Sequence, residues 1–362
     1  MRVLLSGGGT AGHINPALTI ANTIKEHQPE SEFLFVGTKK GMESTLVPKS
    51  GYNIKFIDVN GIKRAITIKN MVSVLKACVA CVRCRGIIKD FNPDIVIGTG
   101  GYVSGPLLKT ASSMGIPTLI HEQNVFAGMT SKMLSKSVDT VCISFEKSRA
   151  KFTGAKNVVL TGNPLRTELF KTTKEEARKS LGVDNRPFIV SFGGSLGAKR
   201  INDCMIDFIK QVPKGKYNIL FATGEREYET VSKQLKGIEK EGISVVKYIY
   251  NMDEAMNGAD LLVCRAGAIT VSELNALGKP SVLIPSPNVT DNHQYFNAKA
   301  LADNGCAMLI EEKDLSNELF NKLVMELLDD SNKLKTMAEN SAKLGIKNSA
   351  EIIYEEVNKL LK

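Results

Sequence analysis

Two glycine-rich turns, each placed between a short apolar run and a helical pattern, constrain this chain more than any other feature. "VLLSGGGTAGHINPA" (Val3–Ala17) is echoed by "IVSFGGSLGAKRIND" (Ile189–Asp203). The echo continues downstream. "PDIVIGTGGYVSGPLLKTASSMGIPTLIHEQN" (Pro93–Asn124) and "ADLLVCRAGAITVSELNALGKPSVLIPSPN" (Ala259–Asn288) share one plan: acidic residue, buried strand, Gly turn, helix, Gly-x-Pro, buried strand. That rhythm is how a parallel α/β sheet reads in sequence. Strands are expected at Val3–Leu5, Phe33–Val36, Ile95–Ile97, Thr118–Ile120, Val158–Leu160, Phe188–Ser191, Ile219–Phe221, Leu261–Val263 and Ser281–Ile284. At 362 residues the chain has room for two such cores. The expected fold class is therefore α/β, two doubly wound domains facing a cleft and joined near Gly162–Arg166, with ligands at the carboxyl ends of the strands.

The composition narrows the setting. With 43% apolar and 23% charged residues, the chain is ordinary globular protein. Val3, Leu4 and Leu5 fall short of a signal-peptide core, and no run approaches the ~18 apolar residues of a membrane span. A cytoplasmic setting is expected, with its seven cysteines as thiols. Cys78, Cys81 and Cys84 have a spacing that can ligate an iron–sulfur cluster, but they lie in a helical pattern without a downstream Cys-Pro, so small packed thiols are expected.

The net charge of +9 is unevenly spread. From Val59 to Lys89 there is no acidic residue, while Lys63, Arg64, Lys69, Lys76, Arg83, Arg85 and Lys89 fall inside. On a helix Lys69, Lys76 and Arg83 share one stripe and Val72, Leu75, Val79 and Val82 another. Two readings follow: an element that meets an anionic membrane surface, and a core-packed helix with a solvated basic face. No aromatic residue interleaves the charges to stack on bases, so nucleic acid is not an expected partner.

Gly7, Gly9 and Gly12 satisfy G-x-G-x-x-G, which marks a dinucleotide site only when an acidic residue ends the second strand. Here that strand runs into Gly37-Thr38-Lys39-Lys40, without a carboxylate. Asn15-Pro16 offers an N-cap and a first helical residue, so the glycines are expected to lie against a helix N-terminus and to cradle an anion other than a dinucleotide. Thr10 adds a hydroxyl, and His13 a group able to exchange a proton near neutral pH, or simply to brace the turn. His27, His121 and His293 are weaker candidates for that role.

Gly193-Gly194-Ser195-Leu196-Gly197 forms a second cradle with the Ser195 hydroxyl. Arg166 in "GNPLR" is a permanent cation suited to a diphosphate, or else a solvated linker arginine. Thr270 and Glu273 match the S/T-x-x-E capping box; Glu273 is alternatively an acceptor for two ribose hydroxyls.

Together and in this order, "GGGTAGHINPALTIA", "GTGGYVSGP", "HEQNVFAG", "GNPLR", "GGSLGA", "CRAGAITVSELNALGKPSVLIPSP" and "DNHQYFNA" resemble the MurG-type glycosyltransferases of peptidoglycan synthesis, over nearly the whole chain. The resemblance implies the GT-B architecture of two Rossmann-like domains. The first, 1–162, would face acceptor and membrane and be joined by a C-terminal helix, 346–362; the second, 163–345, would bind the UDP-sugar.

The implied activity is inverting transfer of N-acetylglucosamine from UDP-N-acetylglucosamine to undecaprenyl-diphospho-N-acetylmuramoyl-pentapeptide. It would take place at the cytoplasmic face of the cell membrane, by a peripheral enzyme that also meets other cell-wall enzymes. The implied donor site is Asn124, Arg166, Ser195, Ile249, the run Ala268, Ile269, Thr270, Val271, Ser272 and Glu273, and Gln294. Glu273 would hold the ribose, and Arg166 and Ser195 the diphosphate. The loop of Thr10, Ala11, Gly12 and His13 would face the acceptor diphosphate with Tyr102 nearby, His13 being the general base. Ala11 stands where the family commonly has Gly.

No Asp-x-Asp occurs, so no metal and no cofactor are expected; helix-terminal amides, Ser195 and Arg166 would stabilise the departing UDP. Two rivals share the architecture: a UDP-N-acetylglucosamine 2-epimerase, which would convert the donor alone, and a non-catalytic nucleotide-sugar-binding subunit, which would bind UDP without turnover. An oxidoreductase ranks last.

Overall fold

Each apolar run leads through a helix to the next, and the strand pairs that result are parallel throughout the described residues. The computed structural model describes all residues except 62–67, 195 and 239–240, and describes 68–75 without their side chains. The first sheet contains β1 (Arg2–Ser6), β2 (Glu32–Gly37), β3 (Asn53–Phe56), β4 (Ile95–Gly98), β5 (Thr118–Glu122), β6 (Thr140–Ile143) and β7 (Val158–Leu160), in the order β3-β2-β1-β4-β5-β6-β7. The second contains β8 (Phe188–Phe192), β9 (Asn218–Ala222), β10 (Ile243–Val246), β11 (Leu261–Cys264), β12 (Ser281–Leu283) and β13 (Ala307–Leu309), in the order β10-β9-β8-β11-β12-β13. In both, chain direction around the sheet reverses beside the first strand, at β1/β4 and at β8/β11. These are doubly wound sheets, and the reversal is where such folds bind ligands.

The chain divides into two compact units, Met1–Leu165 with Asn348–Lys362, and Arg166–Lys347. The acidic residue opening each echoed segment has the same task in both. Asp94 accepts the Arg2 N–H at 2.7 Å, and Asp260 accepts the Phe188 N–H at 2.8 Å, so each caps the start of the central strand. Asp260 also pairs with Lys174 and Arg178. Burial works against its ionisation, yet these cations and the Phe188 N–H hold its pKa below the usual carboxylate value.

The strands β3, β6, β10 and β13 were not expected. The first two edge strands, β3 and β10, are only partly buried and so lack a continuous apolar run; β13 has three residues, and β6 is four residues that include Thr and Cys.

The C-terminal helix Ser349–Leu360 packs on the helix Ala11–His27 of the first unit, with Ile353 and Val357 in one core with Val3, Leu5, Ile14 and Ala17. His27 is spent there: its ring stacks on Tyr354 at 4.4 Å and its Nε2 lies 2.7 Å from Glu351.

In the basic helix Ile68–Phe91, the core side is Ala80, Cys84, Ile87 and Ile88. Val79 and Val82, by contrast, are 65% and 74% exposed. This stripe is therefore not the packed face where it is described. Lys76 pairs with Asp58 at 2.8 Å and Arg83 donates to the Phe56 carbonyl, which ties both to the end of β3. Cys78 is exposed, Cys81 half-buried and Cys84 buried, its thiol pushed up to about 12 by burial. Lys63 and Arg64, and the side chains of Lys69, Val72 and Leu75, lie outside the described residues.

Candidate active site

In the first unit the glycine loop leads from β1 into the helix Ala11–His27. The helix begins five residues before the expected Asn15-Pro16 start: Thr10 is the N-cap, in extended conformation, and Pro16 is inside. The Thr10 carbonyl accepts from both His13 and Ile14 N–H, so the first turn closes over Ala11 and Gly12 without a side-chain cap. Asn15 supplies no cap because the chain is already helical there. Pro16 is the sixth helical residue, past the first turn, so it removes the donor that an unbroken helix would aim at the Gly12 carbonyl.

A carboxylate that the motif did not include holds this loop. Glu43, buried to 1% exposure, accepts the Gly9 N–H at 3.0 Å on Oε2 and both the N–H and the hydroxyl of Thr38 on Oε1. Burial opposes its ionisation, but these three donors together hold its pKa below the usual value. The Gly9 amide is thus already committed to a carboxylate of the protein, which leaves the helix-start amides and Thr10 to meet a ligand anion. On the other side, Gly101 (φ +78°) lies so close to the Gly8 carbonyl that a Cβ would stand 2.3 Å from it.

His13, half-buried in the first turn, packs flat against Gly100, where a Cβ would come within 2.7 Å of Nδ1. Nδ1 lies 3.0 Å from the Thr99 carbonyl and 3.0 Å from Gln123 Oε1. Nε2 makes no hydrogen bond among the described residues. Tyr102, 37% exposed, flanks Gly9. Asn124 follows Gln123 in the turn after β5, and buried Glu122 shapes that turn by accepting the Asn124 and Gly128 N–H groups. Thr10, Ala11, Gly12, His13 and Tyr102 are therefore brought together, with Asn124 one residue from the group that touches His13. Fully buried His121 is neutral: burial pulls its pKa down to about 4, and Nε2 bonds the Gly162 carbonyl.

In the second unit, the helix Ala268–Leu277 has Gly267 as its N-cap. Thr270 and Glu273 lie inside it, so the capping-box reading is corrected: the helix starts at the extended Gly267 and neither residue caps it. Ala268, Ile269, Thr270, Val271, Ser272 and Glu273 form its first two turns. Val271 is fully buried, as is nearly all of Ile249, so both present backbone rather than side chain. Glu273 is partly buried, and its pKa is pushed up to about 7 by desolvation, against the pull of Arg166. Arg166 itself is exposed. Gln294 accepts the Ser286 N–H at 2.9 Å, and His293 Nδ1 bonds the Thr290 carbonyl.

The second glycine turn, with Gly194 at φ +90° and Gly197 at +79°, leads into the helix Lys199–Gln211. Ser195 lies outside the described residues. Arg265 was not anticipated: its guanidinium bonds the Ile284 and Pro285 carbonyls and pairs with Glu312, bracing the carboxyl ends of β11 and β12. Gln123 stood inside a quoted motif, whereas Glu43 carried no signal because its partner Gly9 is 34 positions away.

The family model for the glycosyltransferase family 28 N-terminal domain matches residues 3–143, and that for the C-terminal domain matches 188–353. A UDP-N-acetylglucosamine–N-acetylmuramyl-(pentapeptide) pyrophosphoryl-undecaprenol N-acetylglucosamine transferase of Acetivibrio thermocellus is 48% identical, covering 100% of this chain and 99% of the relative. One of the same name from Thermoanaerobacter sp. is 45% identical, covering 99% and 100%. Among solved structures, MurG of Acinetobacter baumannii matches with a TM-score of 0.83 at 31% identity, covering 99% of each chain. A UDP-GlcNAc 2-epimerase from Neisseria meningitidis matches with a TM-score of 0.69 at 16% identity over 99% of this chain and 100% of that one, a likeness of fold alone.

Proposed function

Since this chain belongs to glycosyltransferase family 28, among its peptidoglycan N-acetylglucosaminyltransferases, we propose how its two units divide the reaction. It transfers N-acetylglucosamine from UDP-N-acetylglucosamine to undecaprenyl-diphospho-N-acetylmuramoyl-pentapeptide, the step from lipid I to lipid II. The first unit, with the C-terminal helix, takes the acceptor; the second takes the UDP-sugar.

In the first unit, the helix start at Thr10, Ala11 and Gly12 faces the acceptor diphosphate, with Tyr102 beside it. His13 is the general base. The 4-hydroxyl oxygen of N-acetylmuramic acid attacks the anomeric carbon as the bond from that carbon to the UDP oxygen breaks on the opposite face. The hydroxyl proton passes to His13 Nε2, and the product is inverted at the anomeric centre. The observation that carries this reading is His13 itself, anchored through Nδ1 at the mouth of the glycine loop with Nε2 unengaged.

In the second unit, Glu273 accepts the ribose hydroxyls while Ile249 and Gln294 contact the nucleotide by backbone and side chain. Arg166, the N-termini of the helices Lys199–Gln211 and Ala268–Leu277, and Ser195 stabilise the charge that develops on UDP. Asn124, on the loop after β5, contributes from the first unit. Positive groups of the protein serve the leaving group, so turnover is expected to persist in excess chelator.

The acceptor's undecaprenyl tail keeps it in a bilayer, so the enzyme must work at a membrane surface. No helix among the described residues is long and apolar enough to cross one. A peripheral seat on the cytoplasmic face, built on exposed Val79 and Val82 with the basic residues of their helix, suits that need. Contact with other cell-wall enzymes would occur at the same surface.

One assay tests the whole: purified protein, labelled UDP-N-acetylglucosamine, a short-chain lipid acceptor analogue and excess EDTA, with UDP and labelled lipid as readouts. Both products are expected in equal amounts. Epimerised donor in the absence of acceptor, or UDP binding without turnover, would support the rival readings instead.

A further inference from the structure

Behind His13 runs a chain of polar groups whose hydrogens have one consistent arrangement. His13 Nδ1 faces the Thr99 carbonyl and Gln123 Oε1, each at 3.0 Å. The Gln123 amide can be placed only one way. Its Nε2 lies 2.7 Å from the Thr99 carbonyl, 3.1 Å from the His121 carbonyl and 2.9 Å from His121 Nδ1. Turning the amide over would aim its oxygen at two carbonyls.

His121 closes the chain. Its Nε2 lies 2.9 Å from the Gly162 carbonyl, which can only accept, so the ring hydrogen sits there and Nδ1 offers a lone pair to Gln123. The Ser144 hydroxyl beside that Nε2 donates elsewhere, to the Glu122 carbonyl at 2.8 Å. Because burial keeps His121 neutral, it has a single ring hydrogen to place. Both neighbours of His13 Nδ1 are then acceptors.

We propose that Gln123 is a positioning residue that, with the Thr99 carbonyl, holds His13 in its Nδ1–H tautomer and so leaves the Nε2 lone pair to take the acceptor proton. This rests on His13 being the general base. In the other tautomer, Nε2 would carry a hydrogen and could not accept one, while the Nδ1 lone pair would face two oxygens. A neutral amide does this without setting a charge behind the imidazole, unlike the carboxylate of a hydrolase triad.

The test pairs 15N NMR of histidine-labelled full-length protein with steady-state kinetics. The parental protein is expected to show His13 protonated at Nδ1. In Gln123→Met the population should move toward Nε2–H, and kcat should fall about tenfold, the worth of one buried hydrogen bond. The KM for UDP-N-acetylglucosamine should not move. If that variant does not fold, judged by its melting curve and UDP affinity, Gln123→Asn, a methylene too short to reach Nδ1, takes its place with the same expectation. An Nε2–H ring in the parental protein, an unchanged tautomer in the variant, or a changed tautomer with parental kcat overturns the proposal. Failure of the underlying reading looks different: His13→Ala would then turn over at the parental rate, whatever tautomer the NMR shows.

Discussion

Two carboxylates in this chain are driven in opposite directions, and each makes a prediction. Glu43 is buried with three donors, Glu273 is partly buried with no hydrogen-bond donor among the described residues, and their pKa values move below and above the ordinary carboxylate value accordingly. For Glu43 the ionised form is the one folding favours, so its stabilisation is present above the unfolded value of about 4.5 and is lost as pH falls below it. Glu43→Gln sets an amide N–H against a donor and should cost ~1–3 kcal/mol in denaturant unfolding, with kcat reduced through the displaced glycine loop. Glu273 has the reverse sign. The native state holds its proton up to about pH 7 while the unfolded chain releases it near 4.5, so stability falls as pH rises through that window, by at most ~3 kcal/mol. Glu273→Gln should flatten this slope and raise stability at pH 8, yet weaken UDP binding. A donor affinity untouched by the change would remove Glu273 from the ribose site. His13 and Glu273 stand out in the sequence because each follows a glycine turn, and both lie in the first two turns of the helices those turns lead into. Glu43 and Arg265 do not, because each reaches backbone distant in sequence, at Gly9 and Ile284, which no local spacing records.

Burial alone did not make a strand legible: β6 is buried throughout and was not expected, while the half-exposed β7 was. Central strands β1, β4, β8 and β11 are apolar runs and were read to within a residue or two, as was the edge strand β7, whereas the edge strands β3, β10 and β13 were not expected. Capping patterns gave way to glycine turns twice: the helix expected to open at Asn15-Pro16 opens earlier, and of the two readings of Thr270 and Glu273 the capping box does not form. In both places the chain becomes helical immediately after the turn. That economy makes the glycines indispensable to different degrees. Gly194 has φ +90° but, its chain neighbours aside, no atom of the described residues within 4 Å of a Cβ, while Gly197, at φ +79°, would set a Cβ 2.2 Å from the Thr223 carbonyl. Gly194→Ala should cost only the left-handed backbone penalty, ~1–2 kcal/mol. Gly197→Ala adds a clash with fixed backbone and should cost clearly more, with UDP affinity lost alongside. Equal destabilisation in urea would mean that the turn yields, and that close backbone approach is not what shapes this cradle.

At the scale of the whole molecule, the echo between the two halves was legible because the same physical need recurs: an aspartate capping the central strand, then a buried strand and a glycine turn. The membrane seat proposed for the basic helix is a matter of surface, which periodicity alone left divided between two readings. The helix packs on the core through Ala80, Cys84, Ile87 and Ile88, while Val79 and Val82 stay exposed beside that face and so are open to a further contact. Arg85 and Lys89 are exposed on the same helix, so apolar contact and charge attraction are available together, the combination that reversible anchoring requires. A lysine or arginine near an anionic surface is worth about 1 kcal/mol, and insertion of a valine somewhat more. Replacing both valines by Asp removes the apolar gain and adds two repelled charges. Partitioning of the Val79→Asp, Val82→Asp protein onto anionic vesicles should therefore fall at least about tenfold. Turnover of a bilayer-embedded acceptor should fall with it, while UDP affinity and turnover of a short-chain soluble acceptor stay at parental values. Raising the salt should weaken parental binding toward that of the variant, because screening shortens the reach of the basic residues but leaves the apolar contact. If the variant sediments with anionic vesicles as the parent does, this helix is not the seat; loss of turnover with both acceptors alike would instead place the damage in the fold.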